Sequence, residues 1–409
     1  MHRVVVTGAG NISSLGHDWE TVERQLRACR NAVRRIDDWS AYVGLNTRLG
    51  VPVAPFDLPD HYNRKATRSM GRVALMATRA SELALIDAGL LDDPILKNGR
   101  VGISYGSSSG TPASMGDFGR MMIEKNTKSI TSASYIKMMS HSAAVNMGVF
   151  FGITGRIITT SSACTSGSQG IGYGYEAIQS GHQTAMLAGG ADEIDVATAA
   201  VFDTLFATST RNDTPELTPR PFDRDRDGLV VGEGASTLIL ENLEHAQARG
   251  ARILAEIVGF GTNSDGRHVT QPNAVTMAAA MRMALADATL PPEAIGYVSA
   301  HGTATDHGDI AETTATHAVF GERMPISSLK SYTGHTLGAC GALEAWASIE
   351  MMRNGWFAPT LNLENIDPRC GNLDYITGSG RNLQTDVVMS NNFAFGGINT
   401  SLIFRRWRD

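Results

Sequence analysis

A chain of 409 residues with a formal net charge of −6 and an isoelectric point near 6.0 lacks the basic surplus expected if nucleic acid were its main partner. No apolar run approaches the length needed to cross a bilayer, and there is room for one large core or two fused halves. Forty-three glycines beside 7% aromatics favour helices packed closely on sheets, hence a layered α/β protein.

Val4-Val5-Val6 reads as a first strand and not as a signal peptide, so a cytoplasmic setting is expected. It leads into Thr7-Gly8-Ala9-Gly10, which imitates a dinucleotide loop. Position 13 is Ser, however, and no acidic residue clearly closes the next strand, so nucleotide binding is not expected. Arg64, Lys65, Arg68 and Arg72 follow at helical spacing on one face, an arrangement that is usually solvated. A helical pattern then ends at Leu83-Ala84-Leu85-Ile86-Asp87-Ala88-Gly89-Leu90. Strand Val101-Gly102-Ile103 comes next and runs into the polar loop Gly106-Ser107-Ser108-Ser109-Gly110.

The run Ile157-Ile158-Thr159-Thr160 stops at Ser161-Ser162-Ala163-Cys164 and restarts as a small-residue helix. This puts the Cys164 thiol on a strand-to-helix turn at the positive end of a helix, where a thiolate is expected; the alternative is a small cysteine that only packs. Cys29, Cys340 and Cys370 are far from it and from one another. Free thiols in a reducing compartment are therefore expected, with no zinc. Asp223-Arg224-Asp225-Arg226-Asp227-Gly228 imitates a calcium loop, but its twelfth position is Gly234 and arginines alternate with the acids. A turn of internal ion pairs is the better reading.

The first half then echoes. Met283-Ala284-Leu285-Ala286-Asp287-Ala288-Thr289-Leu290 repeats the earlier octamer, and Tyr297-Val298-Ser299 runs into Ala300-His301-Gly302-Thr303. Ile326-Ser327-Ser328-Leu329-Lys330 leads through Gly334-His335 to a helix ending near Gly355. The repeated order predicts a duplicated βαβ-type architecture, residues 1–250 and 251–409, with Gly190 to Gly250 as an insertion or cap. Strand ends of such halves meet at one crevice. Cys164, His301, Lys330 and His335 are candidates for a single site there, because both histidines head small-residue loops at equivalent strand ends; His307 has no such support.

Five separated motifs carry a resemblance: Ser162-Ala163-Cys164-Thr165-Ser166-Gly167, Arg220-Pro221-Phe222-Asp223 through Ala235, His301 through Asp306, Lys330 through Gly338, and Asn391-Asn392-Phe393 through Asn399. In this order they resemble the elongating β-ketoacyl-acyl carrier protein synthases, the condensing enzymes of fatty acid and polyketide synthesis. The resemblance implies the thiolase fold, two similar halves in a layered α-β-α-β-α sandwich. It also implies a decarboxylative Claisen condensation of malonyl-acyl carrier protein with an acyl group held on Cys164. No cofactor is implied beyond the phosphopantetheine that the carrier brings.

By this resemblance, His301 and His335 donate N–H to an enolate oxygen, Lys330 pairs with Glu344 to fix them, and the backbone N–H groups of Cys164 and Phe395 form a second oxyanion hole. Thr303 and Thr305 would meet the pantetheine amides. Phe393, Gly396 and Gly397 would join them in substrate binding, Phe395 would gate the acyl pocket, and the small Ser109 would leave room for an acyl tail. Lys65, Arg68 and Arg211 would receive an acidic carrier protein, and a homodimer is implied. Three positions depart from the family's habit: Ala394 for Gly, Ile398 for Thr and Cys340 for Ala. A non-decarboxylating thiolase would need a second catalytic cysteine, which Phe393 to Asn399 does not supply, and a non-catalytic chain-length partner would lack the nucleophile.

Overall fold

The computed structural model describes residues 1–408. The first half contains strand β1 (Val4–Ile12), helix α1 (Arg72–Ala88), β2 (Val101–Gly106), α2 (Ser142–Phe151), β3 (Ile157–Thr160), α3 (Ser166–Gln179), β4 (Ala185–Asp192), α4 (Val196–Thr204) and β5 (Gly234–Asn242). The order then restarts with β6 (Ala255–Ser264), α5 (Ala274–Ala288), β7 (Tyr297–Ser299), α6 (Asp306–Phe320), β8 (Pro325–Ser327), α7 (Cys340–Asn354), the short β9 (Asp374–Tyr375), β10 (Val387–Phe393) and β11 (Ile398–Arg406).

Eleven strands hydrogen-bond in the order β9-β8-β7-β10-β11-β6-β1-β5-β4-β2-β3. Read outward from the β1–β6 joint, the halves β1-β5-β4-β2-β3 and β6-β11-β10-β7-β8 follow one plan. Two antiparallel pairings come first and two parallel ones follow. The joint itself is three residue pairs, Val4 to Val6 against Ile257 to Ala255.

Alternation along the strands builds the layers. Leu238, Leu240, Leu402 and Phe404 face a central core with Ile171, Tyr175, Trp346 and Ile349 of α3 and α7. Ile239 instead faces an outer core with Val73 and Met76 of α1, and Ile403 faces another with Met277 and Met281 of α5. Helices therefore lie between the halves and outside each of them, the expected α-β-α-β-α sandwich.

The octamer echo has a packing cause. A Cβ on Gly8 would lie 2.6 Å from the Ala84 carbonyl oxygen, and one on Gly259 would lie 2.4 Å from that of Ala284; Gly10 and Gly261 meet Ala80 and Ala280 at 2.1 and 2.2 Å. Gly8-Ala9-Gly10 thus lies within β1, not in a loop after it, and its glycines let α1 approach. Gly10→Val and Gly261→Val are each expected to cost about 1–3 kcal/mol by overpacking. Equal downward shifts of the denaturation midpoint would check the equivalence, and a silent variant at either site would refute it.

Two expectations need correction. Residues 190–250 are not all insertion: β5 lies inside the sheet between β1 and β4, because its run of apolar residues is buried on both faces. The cap is confined to the stretch between Asp192 and Gly234, where the second half has only the tight connection from Phe393 to Ile398. The Asp223 turn is also less self-contained than expected. Arg220 pairs with Asp223 at 3.2 Å, but Arg226 reaches out to Asp367 at 2.6 Å and Asp306 at 3.3 Å. Among the described residues no helix is long and apolar enough to cross a membrane, and the four cysteines are free.

Candidate active site

Strand ends of both halves deliver the central residues. Cys164 sits in the turn between β3 and α3, preceded by Ala163 at φ +50°. A left-handed non-glycine residue of this kind is uncommon and turns the chain sharply into the helix. Leu337, at the matching turn before α7, has φ +53°. His301 follows β7, and Lys330 and His335 follow β8. All four are at least nine-tenths buried, as is Glu344 on α7.

The hydrogen bonds fix both imidazole tautomers. The Leu337 backbone N–H donates to His335 Nδ1 at 3.1 Å, so the ring proton is on Nε2, which lies 3.0 Å from the Cys164 Sγ. Lys330 Nζ stands 3.1 Å from His301 Nδ1, and its ion pair with Glu344 keeps it an ammonium donor. His301 Nδ1 therefore accepts too, and its Nε2 carries the proton. Burial holds both histidines neutral, well below the ordinary range, and the Lys330 charge pushes them further the same way. Their rings are 5.1 Å apart and edge-on. The result is a pair of neutral donors beside a thiol.

That thiol is not the resting thiolate expected from its place at a helix start. Burial pushes Cys164 up to about 11, against the Lys330 charge and the backbone N–H groups of Phe395 and Cys164, which favour the anion. Desolvation outweighs the helix end because Cys164 is buried, with 5% of the residue exposed. The Cys164 sulfur and ring nitrogens of both histidines lie within 4.8 Å of one another, a spacing that would suit a metal. Protons on both Nε2 atoms and the adjacent ammonium disfavour a cation.

Several residues not singled out from the sequence hold this arrangement. Asn392 donates to Glu344 Oε2 at 2.7 Å and lies 3.4 Å from His301 Nδ1. Glu312 on α6 accepts the backbone N–H groups of His301 and Gly302, both at 2.7 Å, while burial raises its carboxyl to about 8. Asp192, at the end of β4, accepts from Ser107 at 2.8 Å, Ser108 at 2.6 Å and the Gly338 N–H at 2.7 Å, tying one half's loop to the other's turn. Phe202 of α4 packs on Phe395 at 5.3 Å and faces His335 at 6.5 Å. The cap thus touches the loop that replaces it in the second half. Asp309, also on α6, accepts the backbone N–H groups of Phe222 at 2.8 Å and Ala304 at 3.2 Å, and carboxylates this far inside are legible only from the fold. Asn392 stood inside a recognised motif without a role.

A cavity of about 540 Å³ opens at this centre, lined by His301, Phe393, Phe395, Gly397 and Thr305. Phe393 meets His301 edge-on at 6.3 Å. Thr303 and Thr305 share a hydrogen bond of 2.8 Å. Gly396 and Gly397 have φ of +89° and +72°, and a Cβ on Gly397 would collide with Asp265, so the turn demands glycine there.

Other expected residues lie elsewhere. Ser109 does not line this cavity. Lys65 and Arg68 are exposed, on and just after a four-residue helix capped by Asn63. Their neighbour Arg72 shares that exposed face, but its guanidinium also reaches in to pair with the buried Glu233 at 2.6 Å. Arg211 is bound to Asp227 at 3.4 Å. Cys340, buried at the start of α7, donates its thiol to the Cys164 carbonyl at 3.3 Å.

Comparison with known proteins gives two matches in chain order: the model of the β-ketoacyl synthase N-terminal domain over residues 1–246, and that of its C-terminal domain over residues 254–364. The chain is 37% identical over 411 residues to the 3-oxoacyl-[acyl-carrier-protein] synthase 1 of Haemophilus influenzae, with 100% of each covered. A crystal structure of a β-ketoacyl synthase from Burkholderia phymatum is 62% identical with a TM-score of 0.99, again over 100% of both chains. A type II PKS ketosynthase solved in complex with its acyl-carrier protein is 29% identical with a TM-score of 0.89, also over 100% of both.

Proposed function

Because the chain belongs to the β-ketoacyl synthase family, we propose that Cys164 takes an acyl group from a carrier thioester and that His301 and His335 then drive decarboxylation of malonyl-acyl carrier protein for carbon–carbon bond formation. The chain is a condensing acyltransferase, a 3-oxoacyl-[acyl-carrier-protein] synthase of fatty acid or related polyketide and polyene chain elongation. Its chemistry needs no cofactor beyond carrier-borne phosphopantetheine.

In the first half-reaction the sulfur attacks the thioester carbonyl, and the carrier thiol leaves with the proton. The backbone N–H groups that favour sulfur anion, those of Phe395 and Cys164, are suited to the tetrahedral oxyanion. In the second, the malonyl C–C bond breaks, carbon dioxide leaves, and the electron pair forms an enolate. Two neutral Nε2–H groups meet its oxygen without giving up their protons. The enolate carbon then attacks the acyl-Cys164 carbonyl, and the sulfur departs as a thiolate that takes a proton from water to restore the resting thiol. One observation carries this reading: both Nδ1 atoms are occupied by donors, which makes each imidazole a donor toward the sulfur's side and not a base.

Around this chemistry, Lys330 and Glu344 position His301, Thr303 and Thr305 receive the pantetheine amides, and Phe393, Phe395, Gly396 and Gly397 shape the entry. We assign Lys65 and Arg68 to carrier attraction, with Arg211 restrained by Asp227, and Ser109 to the acyl-tail side. Residues 1–250 carry the nucleophile and 251–409 the imidazoles. A homodimer is supported by β3, an edge strand with Ile157 41% exposed and one side unpaired in the sheet. Free thiols suit the cytoplasm.

The test is to incubate the protein with acyl carriers of graded chain length and weigh the products. A mass increase equal to the acyl group, lost when Cys164 is blocked with iodoacetamide, is expected; no adduct with any chain length would overturn the assignment.

A further inference from the structure

The cavity that ends on His301 and Phe395 beside the nucleophile has an apolar rim. Phe206 is 89% exposed, Val269 67% and Leu205 45%, and all three line its mouth. Phe206 also stands where the backbone favours another residue. Its N–H bonds the Asp203 carbonyl at 3.0 Å and the Ala207 N–H bonds that of Phe202 at 3.0 Å, closing the end of α4 in a Schellman motif. The position between them, at φ +52°, is where helices usually place glycine. A bulky aromatic there is a strained choice, and strain of this kind persists where the surroundings impose it.

The surroundings do. Asp203 is buried and accepts from the Asn46 N–H at 2.9 Å, the Thr47 N–H at 3.0 Å and Thr208 Oγ1 at 2.9 Å, so the turn that presents Phe206 is rigid. The arginine that lines the cavity is spent, Arg226 on Asp306 and Asp367, and the lining Asp227 is held by Arg211. Arg267, two residues before Val269, is exposed without a hydrogen-bond or ion-pair partner among the described residues. The rim therefore offers a fixed aromatic knob and two aliphatic neighbours, with the cation of Arg267 exposed on the segment that carries Val269. That combination fits an anionic partner with an apolar patch.

We propose that Phe206, with Leu205 and Val269, is the collar on which the carrier protein seats while its arm threads the cavity, Phe206 being the anchor. This rests on carrier delivery of the substrate. Exposed aromatics on preorganised turns are the residue type that dominates interface energetics. The same turn is bonded to Phe202, which packs on Phe395. Seating of the carrier is thus one residue away from the loop over the nucleophile.

The full-length protein and its Phe206→Ser, Phe206→Gly and Phe206→Leu variants would be acylated with octanoyl-acyl carrier protein and with octanoyl-N-acetylcysteamine, which lacks the carrier. The ratio of the two second-order rate constants is expected to fall at least tenfold in the Ser and Gly variants, through KM for the carrier, and to return within threefold of wild type in the Leu variant. A ratio that stays constant, whether both rates fall or neither does, overturns the collar. Binding of the unacylated holo-carrier, measured by titration, is expected to weaken by the same factor. It tests the collar even if wild type forms no adduct from either thioester, a result that would instead refute the assigned reaction. The Gly variant relieves the backbone strain, so its loss could not be attributed to misfolding.

Discussion

Replacing Cys164 with Ala is expected to leave no acyl adduct by intact mass and to lower condensation at least about 10⁴-fold, because the two half-reactions lose their only covalent link. The more informative variant is Cys164→Gln. Decarboxylation of malonyl-carrier needs the enolate donors and not the sulfur, so it should persist in that protein and release carbon dioxide without product. Adding His301→Ala or His335→Ala to the Gln background removes one preorganised donor each, worth roughly 10²–10³-fold. Neither imidazole carries a proton on Nδ1, so no compensation from ring rotation is available without breaking the Leu337 or Lys330 contact. Carbon dioxide release that is insensitive to both histidines would refute their role as donors.

The second large effect concerns Lys330. Its ammonium is 1% exposed, ion-paired with Glu344 and placed against His301 Nδ1. Lys330→Met strips the pair of one partner and leaves the Glu344 carboxylate buried with only the Asn392 amide, a change that costs about 3–5 kcal/mol. It also removes the donor that holds the His301 proton on Nε2, and the positive charge that draws the Cys164 thiol down. Stability, malonyl decarboxylation and the rate of Cys164 alkylation by iodoacetamide at fixed pH should all fall. The double variant Lys330→Met with Glu344→Gln removes the stranded charge and should recover much of the stability without recovering decarboxylation. Recovery of both would mean that the pair only holds the fold.

Motifs that end on glycines and small residues were legible because each marks a strand end. Cys164, His301, Lys330 and His335 could be brought to one crevice from the order of elements alone, while Glu344 and its pairing with Lys330 followed from the family resemblance. The acidity of the thiol was not legible. A helix start argues for a thiolate, and only the burial of Cys164 reveals that desolvation wins. The inward carboxylates of Asp192, Asp309 and Glu312 were hidden for a related reason: in sequence a carboxylate at a strand end or on a helix gives no sign that it accepts backbone N–H groups. The position of β5 was misjudged because its short apolar run, Leu238 to Leu240, follows a polar cap and was grouped with it.

The matched turns at Ala163 and Leu337 carry a consequence for the duplicated architecture. Both copies retain the same sharp entry into a central helix, yet only the first places a thiol directly after the left-handed residue: Cys164 follows Ala163, where Gly338 follows Leu337. The other offers its Gly338 N–H to Asp192 and supplies the Leu337 N–H that sets the His335 proton. Duplication has thus produced a division of labour between two equivalent elbows, one exchanging bonds with substrate and its twin serving as the jig that holds the tools. Substitutions at the second elbow should therefore surface as altered proton placement in the first half's chemistry, at a site they never touch.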